Sequence, residues 1–149
     1  MEKMAWEGEK RGMILDREHK VAVATLDGKR IADHFGSAPM FAVYTVRKGK
    51  VLDWEVRANR EGCSRDEEDT QAGCWELVER LLPDVRVVIC GGMGENAYVG
   101  LLRRDVLPVT TPEVEVERAV EEYLRGRLED DHGRVHPPRR GGPFEEKAG

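Results

Sequence analysis

The sequence is short of cysteine, and what it has is scattered. Only Cys63, Cys74 and Cys90 occur among 149 residues. The odd count and wide spacing speak against a disulfide framework, and no CxxC pair offers a local zinc motif. Long apolar runs are missing too: none approaches the roughly 20 residues that span a bilayer. The opening "MEKMAWEGEKRG" lacks the apolar stretch of a secretion signal, so a cytoplasmic location is expected. Nor is there an excess of basic charge. Lys plus Arg number 24 against 29 Asp plus Glu, a formal net charge of -5. That balance gives no electrostatic case for a nucleic-acid partner. No internal repeat is visible. What remains, 36% charged and 40% hydrophobic residues, suits one soluble globular domain.

The compact domain is expected over residues 20–128, after an N-terminal extension (1–19). The tail, "EDDHGRVHPPRRGGPFEEKAG" (129–149), is rich in Pro, Gly and charge. It is too polar to offset its ordering entropy and is expected to be flexible.

Within the domain, "KVAVATL" (20–26) is a β-rich apolar run ending at the turn pair Asp27-Gly28. "MFAVYTV" (40–46), the Gly-centred turn "RKGK" (47–50) and the alternating "VLDWEV" (51–56) form a hairpin pattern. A helix is expected to open at Ser64, where Glu67 completes a capping box. Its apolar positions are Cys74, Leu77, Val78 and Leu81, and Pro83 stops it. "VRVVICGG" (85–92) reads as a strand buried on both faces. "GGMGENAYVGLLRR" is a glycine turn leading into a helix, and "VLPVT" (106–110) is a short strand. A last helix is expected to be capped by Thr111 with Pro112 at its first position and Gly126 as its breaker. The late βαβα rhythm implies right-handed crossovers between parallel strands, so a mixed sheet with helices on both faces is the natural α/β architecture.

With these elements placed, the sequence resembles the dinitrogenase iron–molybdenum cofactor biosynthesis family, the domain of NifX, NafY and the C-terminus of NifB. The first matching stretch is "KVAVATLDGKRIADHFGSAPMFAVYTV", above all Asp33-His34-Phe35-Gly36 with Ala38-Pro39 behind it. The second is the glycine-rich "VVICGGMGENAYVGLL", and the third "PVTTPEVEVERAVEEYLRGRL". The resemblance covers roughly residues 20 to 128. It implies a ribonuclease H-like three-layer α/β/α fold with a five-stranded mixed sheet. It also implies a non-catalytic protein that binds an iron–sulfur or molybdenum-containing cluster for a cofactor-receiving apoprotein. A monomer or weak homodimer is expected.

The candidate residues each admit two readings. His34 is either a ligand at a cluster edge, imidazole being suited to iron, copper or molybdenum, or a cap on its own turn while Phe35 plugs the core. Gly36 lets the chain bend into the next strand. The turn Gly91-Gly92-Met93-Gly94 either cradles an anion with backbone N–H groups and the following helix dipole, or needs glycine for its shape alone. Both features follow strands expected to be parallel neighbours, which puts them on one rim. Asn96 either orients the loop or donates to the ligand. Met93 is a soft thioether or a core side chain. Cys63, in a polar loop between Arg60 and Arg65, is the best thiolate candidate, whereas Cys74 and Cys90 read as core. His132 and His136, with Asp130 and Asp131, offer at most a weak metal site in the tail.

Enzymatic readings find less footing. The first strand, Val21-Ala22-Val23-Ala24-Thr25, has no acid in its body, so two-magnesium nuclease chemistry is not indicated. No nucleophile elbow is visible. The rival to a cluster carrier is a metal-free module that binds a small anion or a partner protein.

Overall fold

Residues 17–59 and 78–136 are described by the computed structural model. Expectations that fall on Arg60, Cys63, Arg65, Cys74 and the proposed helix start at Ser64 lie outside them.

The apolar run after Glu18 forms β1 (His19–Thr25), the centre of the molecule. Alternation sends Val21 and Val23 to one side of the sheet and Ala22 and Ala24 to the other, and all four are fully buried. β2 (Met40–Arg47) runs antiparallel beside β1, pairing His19 with Val46 and Thr25 with Met40. β3 (Lys50–Ala58) returns along β2. The two-residue connection Lys48-Gly49 has φ of 50° and 79°. Positive φ at both positions is the type I′ geometry that matches strand twist.

β4 (Val87–Cys90) lies parallel to β1 on its other side. β5 (Met93–Gly94), α1 (Glu95–Arg103) and β6 (Leu107–Thr110) follow, with β6 parallel to β4. The strand order is β3-β2-β1-β4-β6. Pro108, which cannot donate to a ladder, sits in the edge strand β6.

Two cores follow from the alternation. Val21, Val23, Val87, Ile89 and Val109 pack under α2 (Val116–Leu124), whose Val116, Ala119, Val120 and Tyr123 seal that face. Ala22, Ala24, Val88 and Cys90 pack on the opposite face with Ala97 and Leu101 of α1, joined by Val78 and Leu82. The architecture is therefore the three-layer α/β/α arrangement with a five-stranded mixed sheet. Among the described residues neither α1 nor α2 covers the outer half of β3. There Leu52 (53% exposed) and Trp54 (58%) stay in solvent, Trp54 stacking on Tyr44 with ring centroids 6.1 Å apart.

Two expectations are displaced. The last helix begins at Val116, not at Pro112. Residues 114–116 are instead drawn to the loop after β1: Ile31 N–H donates to Val114 O and Val116 N–H to Lys29 O, both at 2.8 Å. Thr111 Oγ1 caps only the Glu113 amide. The helix ends as expected, with Gly126 at φ 73°. The Gly126 amide donates to Tyr123 O and that of Arg127 to Glu122 O, a Schellman closure.

The tail also departs from expectation, since residues 129–136 are packed rather than loose. Asp131 N–H donates to Thr110 O, and Thr110 Oγ1 to Asp131 O. Asp130 Oδ1 accepts the Thr110 amide, 3.1 Å away. A 3₁₀ turn (His132–Arg134) then leads into β7 (Val135–His136), which lies parallel to β5. These hydrogen bonds to the end of β6 supply what the tail's composition lacks.

β1 is also tied to α2 by its first residue. His19 Nδ1–H donates to Arg17 O at 2.7 Å, so Nε2 accepts from the Tyr123 hydroxyl at 2.8 Å. Burial lowers the His19 pKa, partly offset by the Arg17 carbonyl. The unfolded chain therefore binds more protons just below the ordinary value of 6.5, and stability falls as pH drops through that window. Thermal melts at about pH 7.5 and about pH 5.5 will show a smaller loss in His19→Gln than in the wild type. Equal losses would show that His19 does not couple protons to folding.

Candidate functional site

The loop leaving β1 is shaped by Asp27. Its Oδ1 accepts the amides of Lys29 and Arg30, both at 2.9 Å. Those two hydrogen bonds hold the Asp27 carboxyl below the usual carboxylate range. The chain reverses, and Ala32 N–H donates to Ala24 O at 2.8 Å. Asp33 and His34 then emerge exposed at the carboxyl end of β1. Phe35 turns inward. It is 1% exposed, and its ring meets Phe41 edge-on at 5.7 Å. Gly36, half-buried, carries the chain on toward β2. Phe35 anchors the turn, and His34 stays at the rim.

The glycine turn after β4 presses against this loop. Gly91 N–H donates to Ala32 O at 2.9 Å, and Phe35 N–H to Gly92 O at 3.0 Å. A Cβ on Gly91 would come within 3.0 Å of Ala32 O and of Asp33 Cα. One on Gly92 would come within 3.0 Å of Asp33 O and of Arg134 O, and within 3.3 Å of His136 Nε2. The two glycines allow backbone to touch backbone. The Gly91 amide is committed to this contact and is not part of an anion cradle.

The remaining candidates divide. Met93 is 1% exposed in the core, so its thioether is not presented at the rim. Gly94 is the exposed N-cap of α1, and Asn96 lies half-buried in the helix's first turn. Cys90 is fully buried with its Sγ–H directed at Gly92 O, 3.2 Å away. Burial pushes its thiol up to about 12, so it supplies neither thiolate ligand nor nucleophile.

His136 is the residue that sequence reasoning placed wrongly. β7 sets it opposite Gly94, and its ring lies 5.2 Å from that of His34, tilted by 39°. Arg134 reinforces the placement, Nη1 donating to Gly91 O at 3.3 Å. Its Nε is buried without a hydrogen bond, and Asp131 Oδ2 at 3.4 Å is a misaligned ion pair. His132 points elsewhere, to Asp130 Oδ2 at 3.2 Å and to the Tyr98 hydroxyl at 3.5 Å. The His-x-x-x-His spacing of 132–136 was the available signal. It would unite both rings only on a helix, and the segment is a 3₁₀ turn followed by a strand. Among the described residues no group of three or more His, Cys, Asp or Glu is placed to hold a metal ion.

A groove of about 600 Å³ lies at the opposite, amino-terminal end of β1. Its Arg17, Lys20 and Arg86 are matched by Glu18, Asp84 and Asp105. Asp84 is held by Arg57 at 2.8 Å.

The family model described as Dinitrogenase iron-molybdenum cofactor matches residues 17–126. Similar solved structures include a Methanocaldococcus jannaschii protein provisionally named a dinitrogenase. It is 18% identical with a TM-score of 0.57, over 77% of this chain and 96% of that one. A Thermotoga protein provisionally named NifB is 22% identical with a TM-score of 0.57, over 75% and 92%. The apo form of the orange protein from Desulfovibrio gigas is 17% identical with a TM-score of 0.58, over 78% and 95%. At these identities the structures attest the fold alone. No curated protein matches the sequence. No helix among the described residues is long and apolar enough to cross a membrane.

Gly91→Ala forces its Cβ against backbone and is expected to cost about 1–3 kcal/mol in urea unfolding. Gly94→Ala, whose Cβ meets open space, is expected to cost less than about 1 kcal/mol. Equal losses would contradict the close-approach role of Gly91. Cys90 will resist iodoacetamide in the native protein and react only under denaturant, as read by peptide mass mapping. Alkylation in native buffer at a free thiol's rate would show that β4 is accessible.

Proposed function

The chain belongs to the dinitrogenase iron–molybdenum cofactor family, and from that premise we propose that it binds a metal–sulfur cluster as cargo. The cargo is an iron–sulfur or molybdenum-containing cluster, held without turnover and passed to a receiving apoprotein. One observation carries the reading. His34 is exposed at the carboxyl end of the central strand, on a turn that Phe35 anchors in the core, and has no hydrogen-bond partner among the described residues. Neutral imidazole is a borderline donor suited to iron, copper and zinc. An exposed position at the sheet's carboxyl rim lets a bulky cluster approach and leave. Asp33 precedes His34 on the exposed turn, Gly94 lies opposite His136, and Asn96 remains a candidate donor from the first turn of α1. Cys63 remains the candidate for a thiolate contact. Backbone recognition of a simple anion is the weaker rival, because the Gly91 amide already donates to Ala32 O.

Anaerobic reconstitution with iron, sulfide and molybdate tests the reading. The wild type is expected to take up colour and metal, and His34→Ala to retain at least about tenfold less after desalting. A wild-type protein that stays colourless and metal-free beside a loaded cluster carrier would refute it.

A further inference from the structure

His34 and His136 stand on different segments, 102 residues apart in sequence, yet their rings lie side by side, tilted by 39°. We infer that they form a two-imidazole site for a single borderline metal ion of the zinc(II) class, closed by the strand after the last helix. His136 lies beyond the span 17–126 that the family model matches.

The distance suits the chemistry. With Zn–N bonds of about 2.0–2.1 Å and a tetrahedral angle, two imidazoles on one ion have ring centroids about 5 Å apart. The observed separation is 5.2 Å. Neither ring has a hydrogen-bond partner among the described residues, so no existing bond must break on metal binding.

Both ligands are held from behind. Phe35 anchors the His34 turn in the core, and the Asp131–Thr110 and Arg134–Gly91 hydrogen bonds hold β7 down. Gly92 leaves the His136 ring its place, since a Cβ there would come within 3.3 Å of His136 Nε2 and within 3.0 Å of Asp33 O. Preorganisation of this kind reduces the ordering cost of binding. Two protein donors leave two positions of a tetrahedral ion open. Structural zinc sites are closed by four protein ligands. An open ion keeps exchangeable positions, where water, a thiolate or a sulfide can bind.

The inference does not need the cluster reading. Its test uses Zn²⁺ alone, without iron, sulfide or molybdate, on the full chain stripped of metal. One equivalent of Zn²⁺ is expected to shift the ring resonances of His34 and His136 together in NMR spectra, with those of His19 and His132 unmoved. By calorimetry, His34→Ala and His136→Ala are each expected to weaken that equivalent by at least about tenfold. The double variant should lose less than the sum of the two single losses, because both rings serve one ion. His132→Gln should leave binding intact. Movement of only one of the two rings, or of neither, overturns the site. So does a Zn²⁺ equivalent that survives in the double variant and is lost in His132→Gln. Matching circular dichroism spectra show that the variants are folded, and the wild-type NMR result stands without them.

Discussion

The fold's functional end depends on one close contact between backbones. The loop after β1 and the turn after β4 touch through Gly91 N–H to Ala32 O at 2.9 Å, with no room for a side chain between them. Parallel pairing of β1 and β4 brings the two carboxyl ends level. The contact then determines where each neighbour goes. Phe35 N–H finds Gly92 O, its ring enters the core, and His34 is left outward. The glycines therefore serve His34 indirectly, by letting its turn sit on theirs.

The same turn receives the chain's last described strand. β7 pairs with β5, Arg134 reaches the Gly91 carbonyl, and Gly92 abuts Arg134 O as well as Asp33 O. A single dipeptide is thus packed on one side by the loop carrying His34 and on the other by the strand carrying His136. The exposed end of the sheet is built from three segments distant in sequence. The cores beneath it are ordinary alternation under two helices. Cys90 shows the consequence: one residue before the glycines, its thiol is buried and raised to about 12, while the imidazoles just above are open to solvent.

Much of the fold was legible because its signals are local. Lys48-Gly49 makes the hairpin turn, Gly126 ends the last helix, and "VVIC" is buried on both faces as its unbroken apolar run implied. The start of α2 was not legible. Thr111-Pro112 is a sound local start, but the Ile31 N–H to Val114 O and Val116 N–H to Lys29 O hydrogen bonds with the β1 loop hold those residues extended until Val116. Local propensity of that size yields to long-range backbone pairing. Residues 129–136 failed for the same reason. Their composition predicts disorder, and the partner that orders them, Thr110, is about twenty residues away in the chain.

The sequence by itself determined the α/β order, the mixed sheet, the shared rim of the His34 turn and Gly91-Gly92, and the family. Each rests on periodicity, turn chemistry or a short motif, which act between near neighbours. Only the tertiary structure decided that Met93 is core, that the Gly91 amide is spent on Ala32, and that His136 rather than His132 lies beside His34. Those outcomes depend on which backbone groups remain unpaired after the sheet forms, a property of the folded whole that no local pattern encodes.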